Sequence, residues 1–115
     1  MNDLVERTFR FAQASRTFVD QLPRSLSNWE DARQLVRASG SVAANYLEAQ
    51  EGLSRKDFFY RIRICRKEAR EAGLWLRLIR LEAASELESQ RERLLSEAEQ
   101  LKRIFSTIVS RDCSG

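Results

Sequence analysis

Arg63, Arg66, Arg70 and Arg77 stand three, four and seven residues apart with Lys67 beside them, and on a helix that spacing gathers cationic heads along one side. Arg33 and Arg37, in the helical stretch before, extend the same chemistry. Such a row can neutralise successive phosphates of RNA or DNA. Counterions are released, and the resulting affinity is indifferent to base sequence and falls steeply with salt. The competing reading is a solvated face with local pairs, since Lys67 and Glu71 stand four apart and Arg66 and Arg70 are within reach of acids in the following helix.

A second constellation is Asn45, Glu48, Glu68 and Glu71. Carboxylates beside an amide can bind a cation or move a proton, but carboxylate metal sites in four-helix bundles add Glu-x-x-His pairs. The chain has no histidine, so the commonest general base and the commonest transition-metal ligand are both missing. Ser41 and Ser54 lack a base to activate them. The four residues read as a structural polar network between helices or protomers, with no catalytic residue, metal or cofactor expected. Trp29, Trp75, Tyr46 and Tyr60 could stack on bases, yet their helical spacing fits a core or a subunit interface.

These groups need long helices to hold them. In the stretch from Ser54 to Leu81, residues Phe58, Ile62, Cys65, Ala69, Ala72, Leu76 and Ile79 repeat at alternating steps of four and three, the spacing of a bundle seam. Phe59, Leu74, Trp75, Leu78 and Leu81 widen that seam, so this helix should touch more than one neighbour. Four helices are expected at about 2–21, 28–51, 54–81 and 87–110. Asn2 or Asp3 can cap the first, Ser27 or Asn28 the second and Ser54 the third, and Ser85 or Ser89 can open a capping box for the fourth. Pro23 stops the first helix. Gly40 suggests a close backbone approach, and Gly52 suits a left-handed helix end. Residues 111–115 look frayed. The fold class is all-α, an antiparallel up-down-up-down four-helix bundle in a single domain of 115 residues.

Composition supports this and excludes other classes. One Pro and four Gly leave little turn signal, and 43% hydrophobic with 32% charged residues is the balance of long helices. No apolar run approaches membrane-spanning length, and Asp3 and Glu6 near the start argue against a signal peptide, so a cytoplasmic protein is expected. Cys65 lies on the seam as a small apolar residue, and Cys113 is a free thiol in a polar tail. The net charge is only +3, but cations outnumber acids nine to three from Arg55 to Arg80, while six acids face two arginines from Leu81 to Gln100. The two helices can attract each other, or the basic face can meet an outside anion. The chain also carries more apolar surface than one bundle core needs, which predicts self-association.

Leu22-Pro23, the block from Ser41 to Ala49, the cap from Ser54 to Phe58, the block from Ile64 to Glu71 and the run from Trp75 to Ile79 occur in an order that resembles a known family. It is the four-helix bundle group named from intervening sequences of bacterial 23S ribosomal RNA, the S23 type, which includes the accessory protein of diversity-generating retroelements. The likeness runs from about Leu4 to Ile108. One departure is that Glu48 is followed by Ala49 where many members have glycine. The resemblance implies a homopentameric ring and, in the retroelement branch, a basic surface that engages nucleic acid and a reverse transcriptase. Residues and resemblance together give a non-enzymatic oligomeric scaffold contacting nucleic acid or a nucleic-acid-processing partner. The alternative is a protein–protein interaction module that binds no nucleic acid.

Overall fold

The computed structural model describes residues 3–112, and Asn2, Cys113 and the last two residues lie outside that range. Four helices follow one another: α1 (Asp3–Val19), α2 (Leu26–Gln50), α3 (Arg55–Leu78) and α4 (Leu87–Val109). Partner numbers rise on one helix as they fall on the other: Asn28 meets Arg80, Arg37 meets Glu68 and Asn45 meets Arg61 on the α2–α3 side, Leu76 meets Arg91 and Arg63 meets Asp112 on the α3–α4 side, and Arg7 meets Glu97 while Gln21 meets Gln90 on the α1–α4 side. Neighbours are therefore antiparallel. Among the described residues, α2 packs on α1 and α3, α3 on α4, and α4 more sparsely on α1; the diagonal helices stand farther apart, and Tyr46 of α2 reaches Phe105 of α4 through the core. The result is a four-helix bundle 48 Å long and about half as wide.

The seam residues fill its centre. Ile62, Cys65, Ala69, Ala72 and Leu76 of α3 are fully buried, against Leu35, Ala38 and Val42 of α2, Leu101 and Phe105 of α4, and Phe18 of α1. Full burial of a Leu, Ile or Phe side chain stabilises by about 1.5–3 kcal/mol, so this centre is where the fold gains most. Cys65 sits among these side chains with its thiol toward the Val42 carbonyl oxygen, and burial pushes its pKa from 9.0 up to about 12. It packs as a small apolar residue and is inert at neutral pH.

Helix ends differ from the sequence reading, each for a physical reason. The α2 cap is Ser25, whose hydroxyl accepts the Asn28 N–H, because Asn28 is drawn away to brace two loops. Ser54 caps α3 as expected, accepting from the Asp57 N–H. Ser85 accepts the Leu87 N–H before α4, but Glu88 turns to Arg91 instead of closing a capping box. α3 ends at Leu78, three residues early; Ile79 is extended yet stays buried, so the apolar spacing runs on past the helix. Gly52 has no left-handed backbone; that conformation belongs to Ala84, at φ 58° in the α3–α4 connection. What Gly52 provides is room, since a Cβ there would stand 3.0 Å from the Ala49 carbonyl oxygen. Gly40 faces the Arg16 guanidinium, 3.2 Å from where a Cβ would sit, not another backbone.

Gly73 has a different character. It lies inside α3 with nothing within 4 Å of the point where a methyl group would stand, so it carries the entropic cost of glycine with no compensating contact in the bundle. G73A is expected to stabilise the chain by about 0.5–1 kcal/mol, read as a higher urea midpoint with unchanged slope. An unchanged or lower midpoint would show that the site is crowded.

Candidate nucleic-acid interface

α3 and α4 run antiparallel, and between their outer flanks opens a cleft of about 340 Å³ lined by Arg63, Arg66, Lys67 and Arg70 of α3 with Lys102 and Ser106 of α4. The steps of three and four that align the α3 cations also align Lys102 with Ser106, so two helix faces converge on one space. Arg63 is occupied by Asp112 at 2.8 Å, and Lys102 reaches Glu99 at 3.1 Å. Arg66, Lys67 and Arg70 have no ion-pair partner among the described residues. The acids of α4 that could have neutralised Arg66 and Arg70 turn elsewhere: Glu97 to Arg7, Glu99 to Lys102 and Arg103, and Glu88 to Arg91. Like charges held side by side repel, and an arriving anion relieves that repulsion. The Ser106 hydroxyl adds a donor. Thr8, Ser15, Thr17 and Ser39 each spend theirs on a carbonyl three or four residues back, and Ser106 does not.

The remaining residues singled out in the sequence fall in several places. Arg77 is exposed in the adjoining hollow of about 280 Å³, which shares Arg70 and Lys102 with the cleft and also contains Gly73 and Leu74. Arg37 does not join it: its guanidinium forks onto buried Glu68 at 3.0 and 3.3 Å and lies 3.7 Å from Glu71. Arg33 pairs with Glu30 at 3.5 Å and lies 5.1 Å over the Trp29 ring. Asn45 donates to Ser41 and accepts from Arg61, apart from the two glutamates, and Glu48 is exposed. The four polar residues thus share no pocket. Tyr46 is core, tilted against Phe105, whereas Trp29 and Tyr60 are exposed, each with an arginine over its ring. Sequence reasoning missed Lys102, Ser106 and Asp112. The spacing of Lys102 and Ser106 was visible, but the acidic character of the preceding turns masked it.

The model of the 23S rRNA-intervening sequence protein family matches residues 2–107. The chain belongs to that family. A crystal structure of a protein with unknown function from the S23 ribosomal protein family, from Bacteroides thetaiotaomicron VPI-5482, superposes with a TM-score of 0.80 at 26% identity. The likeness covers 95% of this chain and 96% of that one. No curated protein matches.

Two larger hollows of this family member are less suited to a polyanion. A groove of about 570 Å³ between α1 and α4 mixes Arg10 and Arg93 with Glu97, Phe11 and Leu94, and it exists because these two helices pack sparsely. A hollow of about 720 Å³ at the α1–α2 turn is mainly apolar, with Val19, Leu22, Pro23, Leu26 and Trp29. Neither gathers unpaired charge of one sign. Among the described residues, no helix is long and apolar enough to cross a membrane, and no group of three acids or thiols is placed to hold a metal ion.

Proposed function

We propose that this protein is a non-enzymatic, oligomeric scaffold whose α3–α4 cleft holds phosphate groups of RNA or DNA, alone or together with a nucleic-acid-processing partner such as a reverse transcriptase. The observation that carries the reading is the convergence of Arg66, Lys67 and Arg70, all without ion-pair partners among the described residues, with Lys102 and Ser106 across a single cleft. Chemistry on a substrate has no comparable support, because the carboxylates with defined geometry are tied to arginines in pairs.

Self-association has its own support. Phe9, Leu26, Trp29, Leu47, Tyr60, Leu74 and Leu78 are exposed large apolar side chains. On α2, Trp29, Val36, Ala43 and Leu47 recur at helical steps along one outer line, a small and apolar surface that a second copy could cover. Copies joined this way form a ring, a homopentamer by the family resemblance. The cleft lies between α3 and α4, away from that line, and stays open. Sedimentation at micromolar concentration should return a mass several times that of one chain. A fluorescent RNA or DNA oligomer should bind at about 50 mM salt and be released by about 0.5 M. An assembled protein that binds neither oligomer would favour the interaction module without nucleic acid.

A further inference from the structure

The cleft is open along most of its length but not at the Arg63 end. There the chain that follows α4 folds back onto α3: Arg55 donates to the Arg111 carbonyl oxygen at 3.0 Å, and Arg63 donates to the Asp112 carboxylate at 2.8 Å. The Asp112 side chain keeps only 6% of its exposure, while Arg63 keeps 40%. A carboxylate drawn out of water onto a guanidinium presents negative charge and acceptor oxygens as a phosphate does, in the geometry that phosphate would use.

We propose that Asp112 is an internal competitor for the phosphodiester groups this cleft binds, so that the segment after α4 sets its affinity. The inference rests on the cleft being a nucleic-acid surface. While Asp112 is docked, Arg63 contributes no free charge and the row begins at Arg66. Undocking it lengthens the row by one helical turn. On a single strand one additional phosphate contact steepens the fall of log affinity with log salt by roughly 0.7, which amounts to about four-fold in affinity near 0.15 M salt.

The test uses the full chain and a fluorescein-labelled single-stranded RNA oligomer, with anisotropy followed across a salt series for wild type, D112A, D112N, R63Q and R63Q/D112A. Asp112 follows the last helix and is no part of the apolar core, and circular dichroism will check that each variant keeps its helices. D112A and D112N are expected to bind about four-fold tighter near 0.15 M salt with the steeper slope, and R63Q/D112A to match R63Q. If both Asp112 variants match wild type while R66E/K67E/R70E loses binding, the cleft stands and the competitor falls. A gain that survives in R63Q/D112A would also overturn the proposal, since removal of one negative charge would then account for it. No binding by any variant at about 50 mM salt would remove the cleft reading itself.

Discussion

R66E/K67E/R70E is expected to lower affinity for an RNA or DNA oligomer by roughly three orders of magnitude at about 50 mM salt. Each of the three cations is without an ion-pair partner among the described residues, so each is free to displace one counterion from a polyanion. On a single strand, removing three contacts makes the fall of log affinity with log salt shallower by roughly 2.1, and at about 50 mM salt that difference corresponds to the stated loss. The variant should fold, because Lys67 and Arg70 are exposed and Arg66 is half-buried, and none supports the core. R10E/R24E/R93E makes the same change in net charge outside the cleft and serves as the control. Equal losses in the two triples would mean that bulk charge, not this cleft, draws the ligand.

N28D should destabilise the bundle strongly, by about 3 kcal/mol. Asn28 is buried at 3% exposure, and its amide donates to the Pro23 and Arg80 carbonyl oxygens at 3.0 and 2.9 Å while accepting the Arg80 N–H at 2.8 Å. One side chain thereby fastens the α1–α2 turn to the chain leaving α3. A carboxylate there keeps the acceptor but turns two attractive contacts into oxygen against oxygen. N28A loses all three bonds and leaves the backbone groups to find water, at a cost of about 2 kcal/mol. Urea unfolding will measure both, and the melting temperature should fall by roughly 10 °C for N28D. An unfolding free energy within about 0.5 kcal/mol of wild type would show that the bracket contributes nothing net.

How far these features could be read in the sequence depends on how local their cause is. The α3 seam was legible because Ile62, Cys65, Ala69, Ala72 and Leu76 follow one spacing and all five are buried. The Ser54 cap was legible because its partner is three residues away. Asn28 was misread as a cap because its partners, Pro23 and Arg80, include one 52 residues distant, and a local rule sees only the nearer backbone groups. The end of α3 was overrun because Ile79 remains buried after the helix stops. The basic face was visible as charge on α3, but whether it was neutralised depended on where the α4 acids pointed, which no spacing states. The cleft needed Lys102 and Ser106 from the opposite helix, and its closed end needed Asp112, 49 residues from Arg63.

The Arg37–Glu68 fork also governs sliding of α3 along α2. A seam of Ala, Leu, Ile and Cys repeating about every seven residues keeps its apolar face inward even if α3 slips by one heptad, roughly 10 Å. Slippage in one direction sets Arg37 opposite Arg61 and Glu68 opposite Glu30, like charge against like; in the other it sets Arg37 opposite Trp75 and Glu68 opposite Ala44, with no partner for either charge. The fork therefore joins the Asn45–Arg61 and Asn28–Arg80 bonds in holding one alignment, in which Arg66, Lys67 and Arg70 stand level with Lys102 and Ser106 rather than one heptad away.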